Sequence, residues 1–309
     1  MVLNIREINE RVRSDAKGFV LECEAAYAQK VDDAARKIAG GIKKSNVVLL
    51  SGPSGSGKTT TAHKLAATLE KYGINTHSIS MDNYFKTVNP DTAPRTSDGK
   101  IDYESPLCLD IDLLKEHIAK LAEGEEILVP KFNFTAQKRS EITKPLKLMG
   151  NEIVIIEGIH ALNDVITSAA GGHGVKLYIS SRSNFELDGE IYFKGTWTRI
   201  VRRTIRDERF RGTKADFTLT IWDSIRNGEK AYISPFKNKA DIIINSTHPY
   251  EVNMLKTYFH VPELDKSVKR YDEINMLGKH IGVFGAVSET LVPKDSLLRE
   301  FIGGGCFKY

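Results

Sequence analysis

The junction of the apolar run "NVVLL" with the glycine-rich stretch "SGPSGSGKTTTA", residues 51–62, restricts the fold more than any other feature of the chain. Gly52, Gly57, Lys58 and Thr59 satisfy G-x-x-x-x-G-K-[ST], a pattern that works only where a strand runs into a helix. Both flanks fit, because an apolar strand ends at Ser51 and helical patterning starts near Lys58. Glycines let successive backbone N–H groups turn inward around phosphate oxygens, and the helix N-terminus adds positive partial charge. In such a loop Ser54, Gly55, Ser56 and Thr60 complete the cradle, Lys58 reaches the β and γ phosphates, and Thr59 offers its hydroxyl to Mg²⁺. The expected ligand is a nucleoside triphosphate, ATP. The plain alternative is a flexible Gly/Ser turn.

Further apolar runs without alternation follow at "NTHSISM", "EIVIIE", "VKLYIS" and "DIIIN". Runs of this kind are buried on both faces, as in a parallel sheet covered by helices. The fold expected is α/β, a P-loop NTPase with a mostly parallel sheet, helices over residues 58–72, 110–123 and 197–209, and a helical lid. Before it, Ile5, Ile8, Val12, Val20, Val31, Ala35 and Ile38 recur at helical spacing until Gly40 and Gly41, which predicts an N-terminal helical extension over 1–44. The main P-loop domain is expected over 45–255 and a C-terminal extension over 256–309, where Asp295 can cap a helix "SLLREFI" that Gly303 stops.

Composition narrows the function classes. In 309 residues, 41% are hydrophobic and 27% charged, and 44 basic against 40 acidic residues leave a formal charge of +4. That suits small anionic ligands and gives no reason to expect nucleic acid. Cys23, Cys108 and Cys306 are odd in number and lack metal-ligand spacing, which speaks against a disulfide framework or a zinc site and fits a reducing, cytoplasmic compartment. No run reaches the roughly 18 apolar residues of a membrane span.

A phosphate-binding loop alone does not separate kinases from motors or switches. Asp82 follows the run "NTHSISM", at the carboxyl end of a strand, where open α/β sheets bind ligands. A carboxylate there can accept the proton of an attacking alcohol, though a lone Asp can equally serve a turn. Glu157 ends "EIVIIE" where an acid reaches the metal shell beside the triphosphate. His160 reads as a residue satisfied by local hydrogen bonds. Arg199, Arg203 and Arg206 share a helical face within "RIVRRTIRDERFRG", and a lid closing on phosphates is preferred to a solvated helix paired through Asp207 and Glu208.

Together, "GPSGSGKTT", "SMDNYF", "DYESP", "VPKFNFTAQKR", "IVIIEGIHAL" and "RRTIRDERFRG" resemble, in order and spacing, the phosphoribulokinase and uridine kinase family over roughly residues 46–250. The closest likeness is to a bacterial uridine-kinase-like branch, which "WDSIRNGEKAYISPF", "ADIIINS" and "LLREFIGG" also resemble. The resemblance implies transfer of the γ phosphate of ATP to a hydroxyl of a small metabolite. It makes Asp82 the base and a metal neighbour, and gives Lys58 and Arg206 catalytic roles. Thr59 and Glu157 become the Mg²⁺ neighbourhood, and Arg203, Arg206 and Arg211 contacts to phosphate. Tyr84, Glu104, Phe132, Phe134, Gln137 and Arg139 are implied on the acceptor side, Glu104 where nucleoside kinases use an Asp to hold the ribose hydroxyls.

The acceptor side also departs from the family. Gln137 stands where pyrimidine kinases place a His, Phe132 where they place a Tyr, and Thr213 where an Arg follows the lid glycine. A site that reads a base by hydrogen bonds discriminates poorly once those groups are gone, so strict uridine specificity is not expected. "ISSRSNFELDGEIYFKGTWTR" has no counterpart and is expected to shape the acceptor pocket. The partner expected is a nucleoside-like alcohol, with a homo-oligomer left open. The alternatives are a sugar-phosphate or pantothenate-like kinase, and a non-catalytic ATP-binding regulatory module.

Overall fold

The five apolar runs form one sheet in the computed structural model, which describes residues 1–41, 45–87, 89–96, 99, 101–133, 136, 138–170 and 174–308. Its strands are β1 (Val47–Ser51), β2 (Asn75–Ser80), β3 (Glu152–Glu157), β4 (Val175–Ser180) and β5 (Ile242–Asn245). They lie in the order β5-β4-β1-β3-β2 and every pairing is parallel. Parallel neighbours need crossover connections, so helices cover both faces and the strands can be apolar throughout. Successive side chains of β1 divide between the faces: Val48 and Leu50 enter one core, Val47 and Leu49 the other. The register levels the carboxyl ends, with Glu157 opposite both Leu50 and Ser80. Ser51, Ser80 and Glu157 therefore open onto one edge.

Five longer helices surround the sheet: α1 (Ile5–Gly41), α2 (Lys58–Lys71), α3 (Ile111–Ala122), α4 (Gly195–Phe210) and α5 (Trp222–Tyr232). Three match the helices expected over 58–72, 110–123 and 197–209 to within two residues. The N-terminal helices are two joined at Asp15, whose backbone is extended at φ −154° and ψ 79°. Its carboxylate accepts the Gly18 N–H at 2.8 Å and so caps the second segment. The extensions at either end are not appendages. Ile5, Val20, Ala35 and Ile38 of α1 share a core with Val48 and Leu50, as do Leu297, Leu298 and Phe301.

Two expectations are corrected here. Asp295 caps nothing: the helix α6 covers only Arg299–Ile302 behind Leu298, and the Asp295 carboxylate accepts from Lys64 Nζ at 2.7 Å instead. Gly303, at φ 80°, does end that helix. The segment around residues 184–193 is a hairpin turning at Asp188 and Gly189, both at positive φ, and its first strand pairs in parallel with Val2–Asn4. Phe185 and Phe193 stack edge to face and both meet Phe284. These rings fill the core beside α4 in place of the acceptor-pocket role.

Candidate active site

The glycine-rich loop leaves β1 and turns onto α2 under tight steric constraint. A Cβ on Gly52 would lie 2.1 Å from the Ile179 carbonyl oxygen, and one on Gly55 2.7 Å from that of Arg199. Gly55 and Gly57 also sit at φ 73° and 87°, a region L side chains avoid. The helical ladder of α2 begins with Thr61 N–H to the Gly57 carbonyl at 3.0 Å. Lys58 folds back over the loop, its Nζ 3.4 Å from the Pro53 oxygen.

Behind the loop lies an arginine that sequence reasoning passed over. Arg202 and Glu251 are fully buried and paired at 2.7 Å. The guanidinium also donates to the carbonyls of Gly55 at 3.2 Å, Ser56 at 3.4 Å and Ser246 at 2.9 Å. These contacts fix the back of the loop through two of its carbonyls. The signal was present: Thr198, Val201, Arg202 and Ile205 form one buried stripe of α4, on which an arginine is the outlier. Arg199 is likewise 1% exposed and joined to Glu229 at 2.7 Å, so it braces the helix and is not a free lid residue.

Arg203, Arg206 and Arg211 gather around one carboxylate, while Arg209 lies over the Tyr258 ring at 4.8 Å. Asp207, itself buried, lies 2.7 Å from Arg206, 3.1 Å from Arg203 and 3.8 Å from Arg211. One carboxylate thus gathers three cations, and Arg203 also donates to Ser54 Oγ at 2.7 Å. Burial lowers the Lys58 ammonium below its ordinary pKa, opposed by Glu157, Asp82 and Glu300 and reinforced by Arg206. Burial pushes Glu157 up to about 7, offset by Lys58 and the Ser80 hydroxyl and reinforced by Asp82. Burial also raises Glu104, against the pull of Arg203 and Lys58. Arg211 is exposed, and Arg206 and Asp82 act on it in opposite senses, Arg206 lowering and Asp82 raising it. Lys58 thus feels the charge of Asp82, Glu104, Glu157 and Arg206, and Arg211 that of Arg203, Arg206 and Asp82.

Asp82 heads the short helical turn Met81–Tyr84, its N–H 3.3 Å from Ser80 Oγ, and its side chain is exposed. Thr59 is half-buried at the start of α2. Thr60 is fully buried, with its hydroxyl donating to Glu300 at 2.7 Å, a contact no sequence motif announced. Ser56 Oγ is buried within the loop and has no partner among the described atoms.

On the acceptor side the structure separates residues that the motifs grouped. Tyr84 is corrected from a substrate contact to a core residue: it is 0% exposed, and its hydroxyl shares a hydrogen bond with His117 Nδ1 at 2.9 Å. Arg139 is engaged with Asp110 at 2.9 Å and the Tyr84 carbonyl at 3.3 Å. Phe132 is buried, 5.7 Å from the Phe85 ring. Phe134 and Gln137 lie outside the described residues. Glu104 packs so closely on α5 that a Cβ at Gly228 would meet its own Cβ at 2.4 Å. His160 is buried beside the backbone of Glu104 and Tyr232, distant in sequence, and burial lowers it to about 4; its Nδ1 has no partner among the described atoms.

The Phosphoribulokinase / Uridine kinase family model matches residues 47–253. A uridine kinase from Staphylococcus aureus (strain JH9) is 30% identical over 207 residues, covering 66% of this chain and 88% of that protein. Among solved structures, a Silicibacter protein provisionally described as a fructose transport system kinase overlaps at TM-score 0.49 with 16% identity, covering 69% of this chain and 98% of its own. D-glycerate 3-kinase from Cryptococcus neoformans overlaps at TM-score 0.40 with 16% identity, covering 71% and 87%. With the matched region spanning β1 through β5 and the loop, the cleft and the arginine helix all inside it, the chain belongs to the phosphoribulokinase and uridine kinase family of P-loop kinases.

Proposed function

We propose that the chain transfers the γ phosphate of ATP to a hydroxyl of a nucleoside or related ribosyl-type metabolite. The observation that carries this reading is the placement of Lys58, Asp82 and Glu157 at the carboxyl ends of three neighbouring strands, with Glu104 near enough for its charge to be felt by Lys58. A water-using NTPase has no need for two carboxylates beyond the metal-side acid, whereas an alcohol acceptor needs one to hold it and one to take its proton.

In this reading the triphosphate lies along residues 52–60. Lys58 and Arg203, Arg206 and Arg211 neutralise charge on the transferring group, a stabilisation that is strong because the cations are already fixed by Asp207. Asp82 orients the acceptor hydroxyl and draws off its proton as the new bond to phosphorus forms. Glu104 faces the acceptor from α5's side and accepts from a pair of neighbouring hydroxyls. Its negative charge disfavours an acceptor that is already phosphorylated.

The residues fit Mg²⁺. Thr59, Asp82 and Glu157 offer oxygen donors, and a buried Glu157 pushed up to about 7 gains from a cation beside it. These oxygen donors leave an ion of this kind to take its other ligands from phosphate and water. When bound, Mg²⁺ supplies neutralisation of the β and γ oxygens.

The test is an ATP-consumption screen against nucleosides, pentoses, polyols and hydroxy acids, with product masses. A ribosyl compound should accelerate turnover well above the rate with ATP alone. Stimulation by a non-ribosyl alcohol only would transfer the reading to that acceptor, and nucleotide binding without stimulation by any would favour a regulatory module. Lys58→Ala should lower ATP affinity and turnover together.

A further inference from the structure

Residues 295–307 lie beyond the family-matched region, yet they follow one face of α2 for two turns. Leu297 presses on Gly57, where a Cβ would come within 2.5 Å of its Cδ1. Three positions on, Glu300 Oε2 accepts the Thr60 hydroxyl at 2.7 Å and the Thr60 backbone N–H at 3.3 Å. Lys64 then donates to the Asp295 carbonyl at 2.8 Å and its carboxylate at 2.7 Å. His63 stacks on Phe307 at 5.3 Å and 9°.

The segment is itself internally fixed. Arg299 donates to the carbonyls of Val292 at 2.6 Å, Glu289 at 3.0 Å and Gly303 at 3.1 Å, and Phe301 lies under the Arg202 guanidinium at 5.2 Å. Glu300 is 9% exposed and its charge reaches Lys58. A buried carboxylate bonded twice to one residue restricts that residue strongly, because moving it leaves the carboxylate unsatisfied. Thr60 follows Lys58 and Thr59 directly, so whatever fixes Thr60 fixes the turn that carries them.

We propose that Glu300 is a positioning residue of the nucleotide site: held by the C-terminal segment, it locks the first turn of α2 in the rotation that aims Lys58 and Thr59 at the triphosphate. The proposal rests on the ATP reading above. Glu300 itself touches neither phosphate nor acceptor.

The test measures ATP affinity and unliganded melting temperature on the full chain for Glu300→Ala and Glu300→Gln. Glu300→Ala should weaken ATP binding about tenfold, the worth of a buried charged hydrogen bond. Glu300→Gln keeps an acceptor oxygen at the same reach and should recover most of that affinity. If Glu300→Ala lowers the melting temperature and leaves ATP affinity unchanged, the role is structural and the proposal fails. If ATP binds more tightly, the carboxylate competes with phosphate for the Thr60 N–H and the proposal also fails. Should Glu300→Ala not fold, amide exchange of the wild-type chain decides: a non-hydrolysable ATP analogue should slow exchange across residues 295–302, and unchanged exchange there overturns the coupling. Loss of ATP binding in Lys58→Ala but not in Glu300→Ala would defeat this inference alone, whereas no ATP binding by the wild type would defeat the nucleotide reading beneath it.

Discussion

Behind the phosphate loop, Arg202 and Glu251 are paired at 2.7 Å with neither side chain exposed, while on the acceptor side Arg139 and Asp110 are paired at 2.9 Å with side chains 30% and 27% exposed. Geometry is nearly the same and the energetic meaning is not. Removing one partner of a buried pair strands an uncompensated charge at about 3–5 kcal/mol, whereas a solvated pair contributes up to about 1 kcal/mol. Backbone architecture repeats the contrast. The loop is set into a five-stranded sheet, whereas among the described residues Ile127–Val129 pairs only with Lys144–Leu146 and Phe132–Asn133 only with Lys138–Arg139. Under the proposed function, the residues of phosphoryl transfer sit on the stiff side and those of acceptor recognition on the side that can change at little cost.

The largest effect should separate those two ion pairs. Arg202→Ala should lower unfolding free energy by about 3–5 kcal/mol in denaturant titrations, and Arg139→Ala by about 1 kcal/mol or less. Equal losses would erase the contrast. Next, Asp82→Asn should leave ATP affinity nearly intact and lower phosphoryl transfer roughly a hundredfold or more. Undiminished transfer to the cognate alcohol would remove Asp82 as the base and move the chemistry off the edge of β2.

A smaller effect, confined to acid, extends the comparison to the buried network where α1 meets the C-terminal segment. Burial alone would raise the Glu24 carboxyl, but His248 and the hydroxyls of Ser296 and Tyr250 outweigh it and hold it at about 2 against an ordinary 4.5. A depressed carboxyl adds stability above its unfolded pKa and loses it as pH falls toward the folded one. Stability should therefore decline between about 4.5 and about 2, and Glu24→Gln should flatten that decline in an acid titration followed by circular dichroism. The smallest effect belongs to Tyr84. Tyr84→Phe should lower stability by about 1 kcal/mol through the lost bond to His117 and leave acceptor KM unmoved. A raised acceptor KM would return that hydroxyl to the pocket.

Most of the sheet was legible because its inner strands are apolar runs bounded by polar residues, and "EIVIIE" at β3 can satisfy its burial only between two neighbours; the edge strand "NTHSIS" buries only Ile79 and carried a weaker signal. The loop was legible because its glycines answer to backbone geometry that no other residue meets. Tyr84 was misread because a motif reports adjacency in sequence, while a turn of four residues sends Asp82 outward and Tyr84 into the core. Glu300 stayed hidden for another reason. Its partner Thr60 lies 240 residues away, and only the stripe of Leu297, Glu300 and Phe301, all buried, marked an acid facing inward. Asp295 is drawn away from the helix by Lys64, a cation 231 residues distant in sequence.

The strand Val2–Asn4 has its partner at Asn184–Glu186. On a ribosome adding about 5–20 residues per second, it waits roughly ten to forty seconds for that partner to emerge. Through that interval α1 carries Ile5, Ile8, Val20 and Ile38, all buried in the finished fold, with much of their eventual cover still unsynthesised. Translation speed and chaperone supply, which touch no part of the cleft, should therefore govern how much of this kinase a cell obtains.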